Sequence, residues 1–132
     1  MNSLLLIEDN LDCARLVQKV LTPHGYLVHH AATGAMGLQM ARDHQAKDRT
    51  PLSLILLDIN LPDMNGHAVV LHLRRALRLT TTPIVAFTAE TGSQAKRTAL
   101  AHGCDGFLNK PINTKTFPSE IEAFMKMAYT YL

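Results

Sequence analysis

Apolar positions along this chain fall into two rhythms. Short continuous runs stand at Leu4-Leu5-Leu6-Ile7, Leu54-Ile55-Leu56-Leu57 and Ile84-Val85-Ala86-Phe87, with weaker ones at Tyr26-Leu27-Val28 and Gly106-Phe107-Leu108-Asn109. Continuous apolar runs suit parallel strands covered on both faces, while spacing by three and four residues marks amphipathic helices. Asn10 is a candidate cap for a helix to about Leu21, with Cys13, Leu16, Val17 and Val20 inward and Pro23-His24-Gly25 as its stop. Thr33 is expected to cap a second helix to about Gln45, with Met36, Met40 and Ala41 inward. The polar stretch from Arg42 to Pro51 then holds its fraying end and a surface loop. A third helix is expected over Gly66 to Leu77, with Val69, Val70, Leu73 and Ala76 inward. Ser93 is the expected cap of a fourth, which runs to about His102 and ends at Gly103. A fifth begins at Asn113 or Thr114 and turns Phe117, Ile121, Phe124 and Met125 inward, with Pro118 tolerated in its first turn. Five strands alternating with five helices predict an α/β fold: one (βα)5 domain over residues 1–132, doubly wound about a five-stranded parallel sheet.

Composition narrows the class. With 47% hydrophobic and 18% charged residues, the chain resembles an ordinary globular protein, not a disordered segment. No apolar run approaches the roughly 20 residues of a membrane helix, and Met1-Asn2-Ser3-Leu4 reads as the approach to a first strand, not a signal peptide. Cys13 and Cys104 lack motif spacing, which points to reduced thiols and a cytoplasmic setting. The net charge of +2 is unevenly spread: residues 66–132 carry eight basic against four acidic residues. No dense basic patch with interleaved aromatics accompanies that excess, so direct binding of nucleic acid is not expected. The histidines, among them His29-His30, His67, His72 and His102, lack ligand spacing.

The chemistry gathers at strand ends. Glu8 and Asp9 follow the first apolar run, Asp58 the third, Thr88 the fourth, and Lys110-Pro111 the fifth. In an open α/β sheet, ligands bind along that edge. Carboxylates brought together there repel unless a positive charge intervenes. Mg²⁺ is a hard cation held by one or two carboxylates with water and phosphate, and so matches the acids. Lys110 adds a fixed charge and Thr88 a hydroxyl, the groups needed to stabilise phosphoryl oxygens while a carboxylate oxygen attacks in line.

With Glu8-Asp9, the run Asp58-Ile59-Asn60-Leu61-Pro62-Asp63-Met64-Asn65-Gly66, Thr88-Ala89 and Lys110-Pro111 in this order, the whole chain resembles the response-regulator receiver domains of two-component signalling, with a CheY-like, flavodoxin-like fold. The resemblance implies that Asp58 accepts a phosphoryl group from a phosphohistidine on a sensor histidine kinase or histidine phosphotransfer protein. It implies Mg²⁺, with Mn²⁺ able to substitute, on Asp9, Asp58 and the backbone carbonyl of Asn60, with Glu8 acting through metal-bound water. Thr88 and Lys110 would each hold a phosphoryl oxygen, and the Lys110-Pro111 bond would be cis. Thr88 and Phe107 would form the switch; Phe107 stands where tyrosine is frequent and is otherwise a permanently buried core aromatic. Such a domain assists its own phosphorylation and dephosphorylation without being a turnover enzyme. Its output would be a protein target on the face of the fourth helix, fifth strand and fifth helix, with a homodimer formed on phosphorylation as a further outcome and no membrane partner.

Rival readings meet specific obstacles. Phosphatases with an aspartate nucleophile typically place a second acid two residues later, where this chain has Asn60. A flavodoxin-like cofactor carrier would meet repulsion of phosphate at Glu8-Asp9-Asn10, and no G-x-G-x-x-G follows a strand. Three forms of the receiver reading stay open: a single-domain regulator or relay module, the excised N-terminal receiver of a larger transcriptional regulator or hybrid kinase, and a non-phosphorylated adaptor.

Overall fold

Each apolar run becomes a strand: β1 (Asn2–Ile7), β2 (Tyr26–Ala31), β3 (Leu52–Leu57), β4 (Ile84–Thr88) and β5 (Gly106–Asn109). They belong to a computed structural model that describes residues 2–46 and 49–130; Met1, Lys47, Asp48, Tyr131 and Leu132, including both ends of the expected domain, lie outside the described residues. All pairings are parallel, in the order β2-β1-β3-β4-β5. The chain leaves β1 toward β2 on one side and returns to β3 on the other. That reversal opens a crevice at the C-terminal ends of β1 and β3.

Alternation along the strands builds two cores. Leu5, Ile7, Ile55, Leu57, Ile84 and Ala86 point to one face, under α2 (Gly34–Asp43), α3 (Gly66–Arg75) and α4 (Ser93–Ala101). Leu4, Leu6, Leu54, Leu56, Val85 and Phe87 point to the other, under α1 (Leu11–Leu21) and α5 (Phe117–Thr130). A fully buried Leu, Ile or Phe contributes about 1.5–3 kcal/mol. The central strands therefore hold much of the fold's stability, and they end at the acids.

Helix existence follows the sequence pattern, but helix faces depart from it. Asn10 caps α1 by accepting the amide of Cys13, and Thr33 caps α2 by accepting that of Met36, both as expected. Leu16, Met36 and Ala76, expected inward, are exposed. The buried stripe of α1 is instead Ala14, Val17 and Leu21. In α2 the glycines decide: a Cβ on Gly37 would lie 2.4 Å from Cδ1 of Ile7, so the helix packs through Gly34, Gly37, Leu38 and Ala41 and turns Met36 outward. Helix α3 ends at Arg75, which leaves Ala76 as its C-cap.

Ser93 is the first residue of α4, not its cap; Gly92 holds that position with φ 102° and offers no side-chain acceptor. Among α4 residues only Ala99 is buried. Helix α5 begins at Phe117, later than expected, because Asn113 turns the chain first by accepting the amide of Lys115 on its side chain and that of Phe117 on its carbonyl. Its inward residues Phe117, Ile121 and Met125 are buried, with Phe124 partly so. The Lys110-Pro111 bond is cis. No helix among the described residues is long and apolar enough to cross a membrane.

The fold also pairs histidines that are scattered in sequence. His67 and His102 stack with ring centroids 4.4 Å apart, joining α3 to the end of α4, and His29 meets His44 edge to face at 4.6 Å. Among the described residues, His29 Nε2 is buried without a bonding partner. Burial first, then the charges of His44 and Arg49, hold its imidazole below the ordinary range. The unfolded chain, titrating near ~6.5, therefore takes up a proton before the folded protein does. This contribution to stability is full above that pH and is lost as the pH falls toward the folded-state value. Between about pH 7.5 and 5.5, urea unfolding should register a larger loss of stability in the parent than in His29→Gln. Equal losses would exclude His29 as the source.

Candidate functional site at the sheet's C-terminal edge

Ladder hydrogen bonds run straight into the site. The amide of Glu8 donates to Ala31 O (2.9 Å), that of Asp58 to Ile7 O (2.9 Å), and that of Lys110 to Thr88 O (2.9 Å). The backbones of these residues are thus fixed by the sheet, not by a loop. Behind Asp58 the chain makes a closed turn, with Asn60 bridged to Asn65 and the amide of Gly66 on Ile59 O (2.8 Å). Only glycine fits at position 66, since a Cβ there would lie 2.5 Å from Cα of Ile59 and 2.8 Å from Asp58 O.

Glu8, Asp9 and Asp58 each bring a carboxylate oxygen to within 4.8 Å of the others. Glu8 and Asp58 are buried and Asp9 is exposed. Lys110 reaches into this group: Nζ is 2.9 Å from Asp58 Oδ2 and also pairs with Glu8 Oε1. The other oxygen of Asp58, Oδ1, accepts the amide of Asn60 (3.0 Å). Lys110 Nζ lies 5.3 Å from the Phe87 ring centroid, within cation–π range. Burial pushes the Glu8 carboxyl up, with Lys110 opposing and Asp58 adding to the rise. For Lys110 burial disfavours the charge, but the bonds to Glu8 and Asp58 outweigh it and hold the ammonium above its usual range. Three hard oxygen donors in one place fit a cation such as Mg²⁺ by donor type. Cys13 adds no reactive thiol, because burial and then the bond to Glu8 push it up to about 12.

The expected switch residues sit beside this cluster. Thr88 is buried, and its hydroxyl oxygen accepts the Glu90 amide (3.1 Å). Phe107 is half-buried and lines, with Thr88, Ile59, His67, Glu90 and Gln94, a cavity of about 300 Å³. Across its rim Asn60 Nδ2 donates to Glu90 Oε1 (3.1 Å), and Asn109 Nδ2 donates to Glu90 O. The sequence reading gave no role to the side chains of Asn60 and Glu90, which are 30 residues apart and share no spacing signal. Asp63 was likewise passed over: its carboxylate accepts the amides of Gly34 (2.8 Å) and Ala35 (3.0 Å) at the start of α2. Those bonds hold the Asp63 carboxyl below the usual range. A wider groove, of about 920 Å³, lies at the opposite edge among Tyr26, Ser53 and Pro83, away from the acids.

Comparison with known proteins agrees with this arrangement. The family model described as the response regulator receiver domain matches residues 4–122. The transcriptional regulatory protein KdpE of Mycobacterium tuberculosis is 34% identical over 126 residues, 96% of this chain and 52% of the relative. The response regulator ArlR of Staphylococcus epidermidis is 30% identical over 126 residues, 96% of this chain and 53% of the relative. The chain therefore spans about half the length of these curated relatives. Among solved structures, the chemotaxis response regulator CheY4 of Vibrio cholerae superposes with a TM-score of 0.83 at 30% identity, covering 94% of this chain and 98% of that one. One family's pattern runs from β1 into α5 of this molecule, and the chain belongs to that family, the response regulator receiver domains.

Proposed function

We propose that Asp58 is the phosphoacceptor of this receiver domain and that Glu8, Asp9 and Asp58, with the Asn60 carbonyl, hold the Mg²⁺ that phosphorylation requires. The observation that carries this reading is the Lys110 ammonium between the buried carboxylates of Glu8 and Asp58, beside the exposed Asp9. A carboxylate oxygen of Asp58 attacks phosphorus, the P–O bond forms as the P–N bond to the donor imidazole breaks, and the electron pair leaves with the imidazole nitrogen. Bound Mg²⁺ supplies charge neutralisation on the phosphoryl oxygens. Lys110 shifts its bond from Asp58 to a phosphoryl oxygen. The Thr88 hydroxyl, whose oxygen already accepts the Glu90 amide, has its proton available for another. Because Thr88 and Phe107 line the same cavity, displacement of the hydroxyl makes room for the ring. The domain thereby assists its own phosphorylation and dephosphorylation without conventional turnover.

The phosphoryl donor in this reading is a sensor histidine kinase or a histidine phosphotransfer protein, in the cytoplasm. Output passes through the α4–β5–α5 face, where Lys96, Arg97 and Leu100 are exposed, toward an acidic protein surface or a second copy of the chain. Phosphate and partner each favour the same one of two conformations. Coverage of about half of KdpE and ArlR supports a second reading of the output, in which this receiver acts through a further domain of a larger regulator.

Acetyl phosphate with Mg²⁺ should add one phosphoryl mass, labile to hydroxylamine, to the parent and none to Asp58→Asn. Parent-level labelling of the variant would remove Asp58 from the role. Mg²⁺ at a hundredfold excess over its Kd should stabilise the folded protein by about 2.7 kcal/mol, raising Tm. Asp9→Asn should lose most of that response, and an unchanged Mg²⁺ affinity there would count against Asp9 as a ligand. Lys110→Ala leaves buried Glu8 beside Asp58 without its positive partner, a loss of about 3 kcal/mol without Mg²⁺ by analogy with broken buried pairs. It should still fold and accept some phosphate while the NMR response of residues 88–110 to phosphorylation disappears; parent-like shifts would contradict the coupling role.

A further inference from the structure

Asp63 stands on the turn between β3 and α3, yet its carboxylate is spent on another helix. It takes the amides of Gly34 and Ala35 at 2.8 and 3.0 Å, 29 and 28 residues away in sequence. Helix α2 already has its own cap, since Thr33 Oγ1 accepts the Met36 amide (3.1 Å). A second, charged acceptor from a distant turn complements the helix dipole, and it also ties the turn down. Met64 adds to the tie, because a Cβ on Gly34 would meet its Cγ at 2.4 Å. Helix α2 in turn rests on β1 through Gly37 and Ile7, and β1 delivers Glu8. The base of the same turn is closed by the Asn60–Asn65 bridge. Asn60, itself half of that bridge, bonds Asp58 through its amide and Glu90 through its side chain.

We propose that Asp63 is a positioning residue for the cation: by bonding the start of α2 it fixes the turn that carries Asn60, and so sets cation affinity without touching the cation. The proposal rests on the reading of Glu8, Asp9, Asp58 and the Asn60 carbonyl as a Mg²⁺ site. It explains why a turn closed at its base is also tied at its tip to the helix that packs on the strand supplying Glu8.

Calorimetric titration of Mg²⁺ into the full chain at neutral pH tests it. Asp63→Ala should bind Mg²⁺ roughly tenfold more weakly, the lower end of what loss of an outer-shell partner costs. Asp63→Asn keeps one acceptor oxygen for one of the two amides and should weaken binding about threefold on the same scale. This variant also carries the test if the alanine variant fails to fold. Thr33→Ala removes the cap of the same helix but leaves the tie in place, and should bind as the parent does. Repeating the series in about 1 M salt, where the screening length is roughly 3 Å, removes the effect of Asp63's charge through space, and the deficit of its variants over the parent should persist. The proposal is overturned by parent-level affinity in either Asp63 variant, by equal weakening in Thr33→Ala, or by a deficit that vanishes in high salt. A parent that binds no Mg²⁺ overturns the cation reading itself and this inference with it, whereas a parent that binds alongside unchanged variants overturns the inference alone.

Discussion

Like charges held together against their repulsion are the constraint around which this molecule is arranged. Glu8, Asp9 and Asp58 occupy one crevice, and two of the three are withdrawn from water. Such a cluster is tolerable only with a positive charge among its oxygens. Lys110 supplies that charge, and its position depends on the length of β5, on the pairing of β4 with β5 through Thr88 and Asn109, and on its own amide bond to Thr88. The sheet order matters for the same reason. Placing β1 beside β3 brings the acids together, and placing β4 and β5 next to them brings the hydroxyl and the ammonium within reach.

The two-sided core makes this arrangement stiff. Every residue of β4 and the last four of β3 are buried, so the strand ends cannot tilt without disturbing packing under α1 and α5 or under α2 and α3. The two faces nevertheless differ. Phe87 and Phe117, with centroids 6.2 Å apart, fill the α1–α5 side. The other side relies on aliphatic side chains and on helices pressed close at glycine.

Much of this was legible in the sequence because four of the five strands announce themselves twice, by an apolar run and by the acid, hydroxyl or lysine at its end. Glu8, Asp9, Asp58 and Lys110 come together as their strand-end positions implied, and Thr88 lies beside them. Helix faces were less legible. Hydrophobic periodicity rates Met36 and Leu16 as core candidates, but it is blind to a glycine that lets a backbone approach, as Gly37 does against Ile7. Ser93 looked like a cap by residue type, while Gly92 took the position through its backbone conformation. Least legible were contacts between residues 28 to 35 positions apart, such as the hydrogen bonds of Asp63 with Ala35 and Asn60 with Glu90, and the stacking of His67 on His102. No local pattern encodes them; they exist only once the sheet order is set.

The bare start of α4 has an energetic corollary. A helix resists local unfolding through its caps and its buried surface, and α4 has neither in quantity: Gly92 offers no side-chain acceptor and Ala99 is its one buried residue. Helices α1 to α3 each bury three or four residues and have a side-chain cap. Opening free energies within the domain are therefore graded, with α4 near the bottom of the scale and β3 and β4 near the top. The strand that carries Asp58 thus keeps its place while the surface of α4 has little packing to lose in opening.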